Sequence, residues 1–530
     1  MVISSVLDAI LAVTTIILRC TAVLFTRFHP LGRRYLNQIY GNGVTYFICL
    51  LAKILTNKSQ AASKRRRSGL VLLFGWFDPR QPLASFITVF LNLLSLGAVW
   101  DFLYRSHIFH QSNELSFSRV GYVDETSARI VVRAPAEPAT YVEIRLSSAE
   151  ESVDQVEPQT IAVTESGDYV GTFVLEGLRP NTKYSYSTNV SHTGSFKTAD
   201  QSQKRWGLVS TSCIKPFYPY SPLDHGLGIR GLEYLDQYIS VNPVDMMLFL
   251  GDFIYIDLPV ALGWTPDHYT SAYRQVYASP SWTPALRSLP WLHAYDDHEI
   301  INDWAANETG LYQSAMQPFW AYHGHANPAS QFGQGKTHYI FRRGDISFFV
   351  MDTRRYRSAE STEDGPGKTM LGSAQLADLQ QWLASEKAWK VVVSSVPFTR
   401  NWRGPDSADS WSGYLWEREQ VLDMMRRTDG VVILSGDRHE HATTIFPPGR
   451  KGGKSIIEFS TSPLNQFYEP FSRFHEQIED TDVSVHSHPW GNSKFGVVFF
   501  DTSRQDRLQV DFDLVVDGEK TWNYTWTYER

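Results

Sequence analysis

Three kinds of hydrophobic pattern follow one another along the chain. Residues 2–25 are apolar apart from Asp8 and Arg19, and residues 84–104 form an apolar run of about bilayer length. Trp100 and Tyr104 lie toward one end of that run, where interfacial aromatics belong. Two shorter runs, 44–55 and 69–77, are each too short to cross by themselves and are expected at the interface or as re-entrant pieces. The pattern then changes to alternation: 128–133, 141–146 and 169–174 are rich in β-branched residues and predict strands. From Trp206 onward, apolar runs of strand length stop abruptly in polar clusters, with amphipathic helical stretches such as 231–239 and 373–383 between them. The expectation is an N-terminal membrane region (1–110) with two spanning helices, a small all-β domain (115–199), and a layered α/β domain (205–530) whose polar groups gather at the C-terminal ends of strands.

Charge refines the membrane region. Arg27, Arg33, Arg34, Lys53, Lys58, Lys64, Arg65, Arg66, Arg67 and Arg80 fall between the two long runs, with Asp78 opposing them. The positive-inside rule puts that connector in the cytoplasm, and two spans then place both termini and the chain beyond about residue 105 on the extracytoplasmic or lumenal side. A third span would invert the argument. Sequons at Asn189, Asn307 and Asn523 permit glycosylation there. Net charge is −7 and aromatics make up 14% of the 530 residues, a folded composition with no overall basic field, so nucleic-acid binding is not expected. Of three cysteines, Cys213 alone lies in the C-terminal part. It is either a small buried hydrophobe or a metal-ligating thiolate.

The candidate chemistry sits at the strand ends. One stretch, Trp291 to Trp304, passes from an apolar run directly into Asp296-Asp297-His298-Glu299, with Asn302 and Asp303 behind. Such groups are costly to bury without partners. Four other runs end alike: in Ser210-Thr211-Ser212-Cys213, in Gly251-Asp252-Phe253-Ile254-Tyr255, in Asp352-Thr353-Arg354-Arg355, and in Ser435-Gly436-Asp437-Arg438-His439. Asp, His, Asn, Tyr and Cys together are ligand types for one or more metal ions of mixed hardness. His439 and His441 alternate, so on an extended segment only one of them faces such a site; His439 is preferred, with His441 behind it or at the surface. His486 and His488 are expected at the surface, and Trp264, Trp402, Trp411 and Tyr414 at a pocket rim.

The Gly251–Tyr255, Asp296–Glu299 and Ser435–His439 motifs, with the Ser-x-Ser-Cys turn and the segment after Asp352, resemble the signatures of PhoD-type alkaline phosphatases, a branch of the calcineurin-like metallophosphoesterases. The resemblance runs from about residue 115 to the end. It implies the layered metallophosphoesterase sandwich as fold. Leu178-x-Pro180-x-Thr182-x-Tyr184-x-Tyr186 likewise resembles the tyrosine corner of fibronectin type III domains, which implies an all-β flanking domain of that kind. By the first resemblance, Cys213, Asp252 and Tyr255, with Asp437 near them, would hold iron as the ferric ion, since thiolate and phenolate favour it. Asp252 would bridge to a second site of Asp297, Asn302 and His439 that suits calcium or another divalent metal. His298 would protonate the leaving oxygen, its tautomer set by Asp296 or Glu299, and Arg354 or Arg355 would hold a phosphate oxygen. The implied activity is hydrolysis of phosphate mono- or diesters through a metal-bound hydroxide. The rival reading is a catalytically inert membrane receptor or adaptor that keeps the fold. One departure stands out: the strand 391–393 leads to Ser394-Ser395-Val396-Pro397, with none of the histidine that many metallophosphoesterases carry there.

Overall fold

A computed structural model describes residues 2–56, 66–135, 140–148, 157–385, 387–449, 452–469, 474–477 and 480–530. Packing divides the chain into two compact units: Met1–Gln111 with Phe217–Gly226 and Leu258–Ala261, and Ser112–Pro216 with Leu227–Asp257 and Leu262–Arg530.

The first unit holds helices α1 (Val2–Arg27), α2 (Gly32–Thr56), α3 (Ser68–Phe74) and α4 (Pro82–Phe109). Among the described residues three helices, α1, α2 and α4, are long and apolar enough to cross a membrane, where two were expected. The difference lies in α2. Its apolar run at 44–55 is short, but the helix extends it N-terminally through Tyr35, Leu36, Ile39 and Tyr40 to 25 residues. The run at 69–77 stays a single short helix, ended by Gly75 in the left-handed region (φ 68°). Arg19 of α1 closes on that helix end: its Nη1 donates to the Leu72 carbonyl (2.7 Å), its Nε to Asn92 Oδ1 (2.7 Å) and its Nη2 to the Thr88 carbonyl (3.0 Å). A charge in an apolar helix thus satisfies a carbonyl that α3 itself leaves open. Lys53 Nζ donates to Asp8 Oδ2 at 2.9 Å. Lys58, Lys64 and Arg65 of the basic connector lie outside the described residues.

The second unit begins with seven strands: β1 (Phe117–Val123), β2 (Ala128–Arg133), β3 (Thr140–Ser148), β4 (Gln159–Val163), β5 (Val170–Leu175), β6 (Lys183–Thr188) and β7 (Thr193–Lys197). They form two antiparallel sheets, β1-β2-β5 and β4-β3-β6-β7, around a core of Val120, Ile130, Val142, Phe173 and Tyr184. The Tyr184 hydroxyl accepts from the Arg179 backbone N–H (2.9 Å), a tie between a strand and the corner before it.

Thirteen strands follow: β8 (Arg205–Thr211), β9 (Met246–Phe249), β10 (Trp291–His293), β11 (Tyr339–Arg343), β12 (Ile346–Val350), β13 (Trp389–Val393), β14 (Val432–Ser435), β15 (His441–Phe446), β16 (Ile456–Thr461), β17 (Val483–His488), β18 (Lys494–Asp501), β19 (Arg507–Val516) and β20 (Glu519–Glu529). One sheet is ordered β10-β9-β8-β18-β19-β20, the other β11-β12-β13-β14-β16-β15-β17. Their facing sides share a dry core that includes Leu208, Leu248, Phe348, Val391, Leu434 and Phe512. The outer face of the first sheet packs on α5 (Arg230–Val241), α6 (Pro266–Tyr277), α7 (Pro284–Ser288) and α8 (Tyr312–Tyr322). That of the second packs on α9 (Gly372–Ser385) and α10 (Leu415–Met425). Near-continuous burial of β8, β9 and β12 to β14 explains why their sequences are apolar runs rather than alternations. Because β8, β9 and β10 are parallel, as are β12, β13 and β14, their polar C-terminal ends gather at one edge.

Candidate metal centre

Sharp turns follow β8, β9 and β14. Cys213, Asp252, Asp437 and His439 all have left-handed backbone (φ 67°, 56°, 76° and 55°). For residues with a side chain that conformation costs on the order of 1–3 kcal/mol and persists where the surroundings over-determine it. Here they do. Cys213 N–H donates to the Gly251 carbonyl (3.1 Å), Ile214 N–H to the Asp252 carbonyl (2.9 Å), and Asp437 N–H to Ser212 Oγ (2.9 Å). Gly251 (φ 113°) is required, since a Cβ there would stand 2.6 Å from Asp296 Cβ. Buried Glu299 knots the β9 and β10 ends together: its carboxylate accepts from the backbone N–H of Asp252 (2.9 Å), Phe253 (2.6 Å) and Asp296 (2.8 Å).

Around this lacing the expected ligands meet. Tyr255 donates its hydroxyl to Asp252 Oδ2 (3.0 Å), and Cys213 Sγ stands 3.4 Å from the same oxygen. His439 Nε2 lies 3.1 Å from the Tyr255 hydroxyl. Carboxylate oxygens of Asp252, Asp296, Asp297 and Asp437 lie within 4.8 Å of one another, as do ligand atoms of Asp252, Asp297 and His298. Asn302 is the outlier: it sits at the exposed rim, its backbone N–H donating to Asp257 Oδ2 (3.0 Å).

His298 is held from a different direction than expected. Its Nδ1 is 2.6 Å from Asp257 Oδ1, whereas Glu299 is spent on backbone amides and Asp296 faces Arg354. Burial works against the imidazolium, but Asp257, then Asp297 and Asp252, outweigh it and raise the His298 pKa well above its ordinary value. Arg354 departs further from expectation. It is fully buried, bonded through Nε to Asp296 and in a fork to Asp409 (2.7 and 2.8 Å). Three of its N–H groups go to these two carboxylates and Nη2 also stands 3.3 Å from Asp297 Oδ1, so its charge is directed at carboxylates in this structure. Arg355 reaches away to Glu308 and the Gly335 carbonyl.

The residues present fit a metal centre. Asp296 Oδ2, Asp297 Oδ1 and Asp437 Oδ2 are buried and accept no hydrogen bond, although Arg354 Nη2 and Arg438 Nε stand 3.3 and 2.8 Å from the last two. Burial above all pushes the Asp252 and Asp437 carboxyls and the Cys213 thiol well above their ordinary values; His298 opposes this at Asp252 and Arg438 at Asp437, while neighbouring acids add to it. Such a pocket disfavours its own negative charge until a cation enters. Thiolate, phenolate, carboxylates and imidazole are a coherent donor set for that cation.

Other expectations shift. His441 is buried, its ring nitrogens at 2.9 and 3.0 Å from the hydroxyls of Thr461 and Thr443. His486 and His488 lie half-buried on β17, with His486 stacked on Trp522 (4.3 Å). Trp402, Trp411 and Tyr414 are buried in the fold. Three residues that sequence reasoning missed belong to the site: Asp257, Asp409 and Arg438. Asp257 lay two positions past the Gly-Asp motif and was readable as its second carboxylate. Arg438, inside a quoted motif, stands 2.8 Å from Asp437 Oδ2 and 3.6 Å from Asp409, over the Trp402 ring (4.3 Å).

A family model described as PhoD-like phosphatase matches residues 233–512, more than half of the chain. Alkaline phosphatase D of Bacillus subtilis (strain 168) is 26% identical over 315 residues, covering 50% of this chain and 52% of that protein, so the chain spans about half the length of this curated relative. A solved structure of PhoD superposes with a TM-score of 0.61 at 19% identity, over 79% of this chain and 90% of that one. A purple acid phosphatase from yellow lupin (Lupinus luteus) seeds gives 0.54 at 15% identity, over 78% and 75%. At these identities the structural likeness shows the fold alone.

Proposed function

The chain belongs to the PhoD-like phosphatase family, and from that premise we propose that it is a membrane-anchored, metal-dependent phosphatase or phosphodiesterase. The observation that carries this reading is the gathering of Cys213 and Tyr255 about Asp252, with His439 against Tyr255, beside buried carboxylate oxygens that accept no hydrogen bond. Cys213, Asp252, Tyr255 and Asp437 would hold iron, and Asp252, Asp297, His439 and the rim residue Asn302 would hold calcium or another divalent ion. When bound, such ions supply Lewis acidity and activate water at neutral pH. The chain's own work is positional. Glu299 fixes the Asp252 turn, Asp257 holds His298 at Nδ1, and Nε2 is left to deliver a proton to the departing oxygen. Arg354 keeps Asp296 and Asp409 in register.

Residues 115–199, with their two antiparallel sheets and the Tyr184 tie, are read as a fibronectin type III-like domain flanking a catalytic domain of 205–530, after a membrane region of 1–110. With three crossing helices, the connector between α2 and α4 carries more basic residues than the α1–α2 turn and is assigned to the cytoplasm. The N-terminus is then cytoplasmic and the chain beyond α4 is extracytoplasmic or lumenal. Protease protection on sealed membranes tests this, and digestion of the C-terminal part from the cytosolic side would refute it.

The deciding experiment is metal analysis of the purified full chain in detergent, paired with hydrolysis of a panel of soluble and lipid-borne phosphate mono- and diesters. Bound iron with hydrolysis is expected. No bound metal and no turnover after iron and calcium are added would sustain the inert-receptor alternative instead.

A further inference from the structure

The first compact unit contains more than the N-terminal helices. Phe217–Gly226 and Leu258–Ala261 belong to it by packing, although both come from a stretch whose patterning is that of the α/β domain. Segment 217–226 is laid on the ends of α1 and α4. The Tyr220 N–H donates to the Thr26 carbonyl (3.1 Å), and Arg27 Nη1 donates to the Tyr220 carbonyl (2.7 Å). The Tyr220 hydroxyl donates to Asp101 Oδ2 (3.0 Å), and Arg105 donates to the carbonyls of Pro222 and Asp224 (3.0 Å each). The rings of Phe217 and Tyr220 stand 6.1 and 5.8 Å from Phe102. Segment 258–261 meets the start of α2, where a Cβ on Gly32 would fall 1.9 Å from the Pro259 carbonyl oxygen, so that only glycine admits the approach.

These contacts set a depth. Helix α4 has 28 residues, roughly 42 Å at 1.5 Å per residue, against about 30 Å of hydrocarbon, so its last turns stand in the headgroup layer when it crosses. Arg27 ends α1 and Gly32 begins α2, which puts those positions in the same layer. At the free side of segment 217–226 is Leu223, 94% exposed, and at the same end of α4 Phe109 is 67% exposed. One exposed leucine means little by itself. Its segment, however, is fastened by main-chain and aromatic contacts to helix ends at headgroup depth, and exposed apolar side chains continue along α4 from Phe109 and Trp100 through Leu94 and Phe90 to Phe86 near its other end.

We propose that Phe217–Gly226 is a membrane-interface element, with Leu223 inserted among the lipid headgroups and upper acyl chains. The occupant is the bilayer surface itself, continuous with the lipid that covers α1, α2 and α4. The proposal rests on the reading that those helices cross a membrane. It also extends the membrane region to a segment that begins four positions after Cys213 in the chain.

The test uses the full chain in phospholipid vesicles, carrying an environment-sensitive fluorophore on Leu223→Cys in a Cys20→Ser background, since Cys49 and Cys213 are buried. Phe86→Cys serves as the lipid-facing reference and Val241→Cys, at a 75% exposed position of α5, as the aqueous one. The expected result is blue-shifted emission from the Leu223 and Phe86 probes, quenched by a nitroxide carried on lipid, with water-like, iodide-quenched emission from the Val241 probe. If the Leu223 probe behaves like the Val241 probe while the Phe86 probe reports lipid, the proposal is wrong and the spanning reading stands. If the Phe86 probe is aqueous as well, the spanning reading fails and the proposal falls with it.

Discussion

Two groups of buried carboxylates lie side by side in the candidate centre, and they are neutralised in opposite ways. Asp409 is surrounded by arginines: Arg354 in a two-bond fork, Arg357 alongside, and Arg438 at 3.6 Å. Burial alone would raise its pKa, yet these cations hold the Asp409 carboxyl well below the usual carboxylate range. Asp252 is equally buried, but apart from His298 the charges that bear on it are acids: Asp297, Asp296 and Glu299. The first group carries its own counter-charge and reads as architecture. At Asp252 the opposing charge is His298 alone, although its neighbours Asp296 and Asp437 stand against Arg354 and Arg438, and the site reads as a place for an ion from outside. Buried acids by themselves do not mark a metal site; an excess of buried acids over built-in cations does.

The sharpest way to break this contrast is Asp252→Asn. In the cation-demanding half it should abolish metal uptake and turnover, read by metal analysis and hydrolysis rate. The metal-free protein should become slightly more stable, because a repelled carboxylate has gone. A loss of metal-free stability would place Asp252 with the architectural group. Arg354→Leu is the mirror experiment. It strands Asp296 and Asp409 and should lower stability by about 3–5 kcal/mol with or without metal, seen as a lower denaturation midpoint. An unchanged midpoint would contradict the role given to that half.

Chelation should separate the halves in one sample. Removing a metal present at 100 to 1,000 times its Kd costs roughly 2.7–4.1 kcal/mol of stability, so the melting temperature of the native chain should drop while that of Asp252→Asn stays put. Asp257→Asn should leave metal content intact and lower kcat by about 10²–10⁴-fold for esters with poor leaving groups. Asp257 raises the pKa of His298, so its removal lets the imidazolium lose its proton sooner, and the alkaline limb of the rate profile should move to lower pH. A profile that does not move would remove His298 from proton transfer. The smallest effect is expected of Arg438→Gln, at the seam between the groups. It should change stability by about 1 kcal/mol and tighten metal binding, since a cation 2.8 Å from Asp437 has been withdrawn.

Most of the residues proposed for the centre stand out in the sequence. Cys213, Asp252, Asp297, His298, Asp437 and His439 could be read because each follows an apolar strand in a short polar burst, and local sequence is what makes a strand stop. The Asp257 partnership was not legible, since Asp296 and Glu299 stand beside His298 in sequence while Asp257 stands beside it in space. The partners of Arg354 were hidden for a related reason. Its motif announces a guanidinium at a strand end, but Asp409, which it bonds, lies 55 positions later in a single 3-10 turn without a signature. The third helix long and apolar enough to cross was hidden because polarity interrupts the N-terminal half of α2, and a helix does not end where its hydrophobicity dips.

The amino-acid sequence by itself determined the order of the parts: apolar helices first, alternating strands next, then buried strands whose polar ends carry metal-ligand chemistry. Those are properties of periodicity and residue type, which act locally along the chain. Only the tertiary structure decided which carboxylates own a counter-ion and which await one, which acid steadies His298, and that Phe217–Gly226 packs with the helices. Electrostatic pairing and desolvation depend on distances of a few ångströms between residues far apart in sequence, and no local pattern records them.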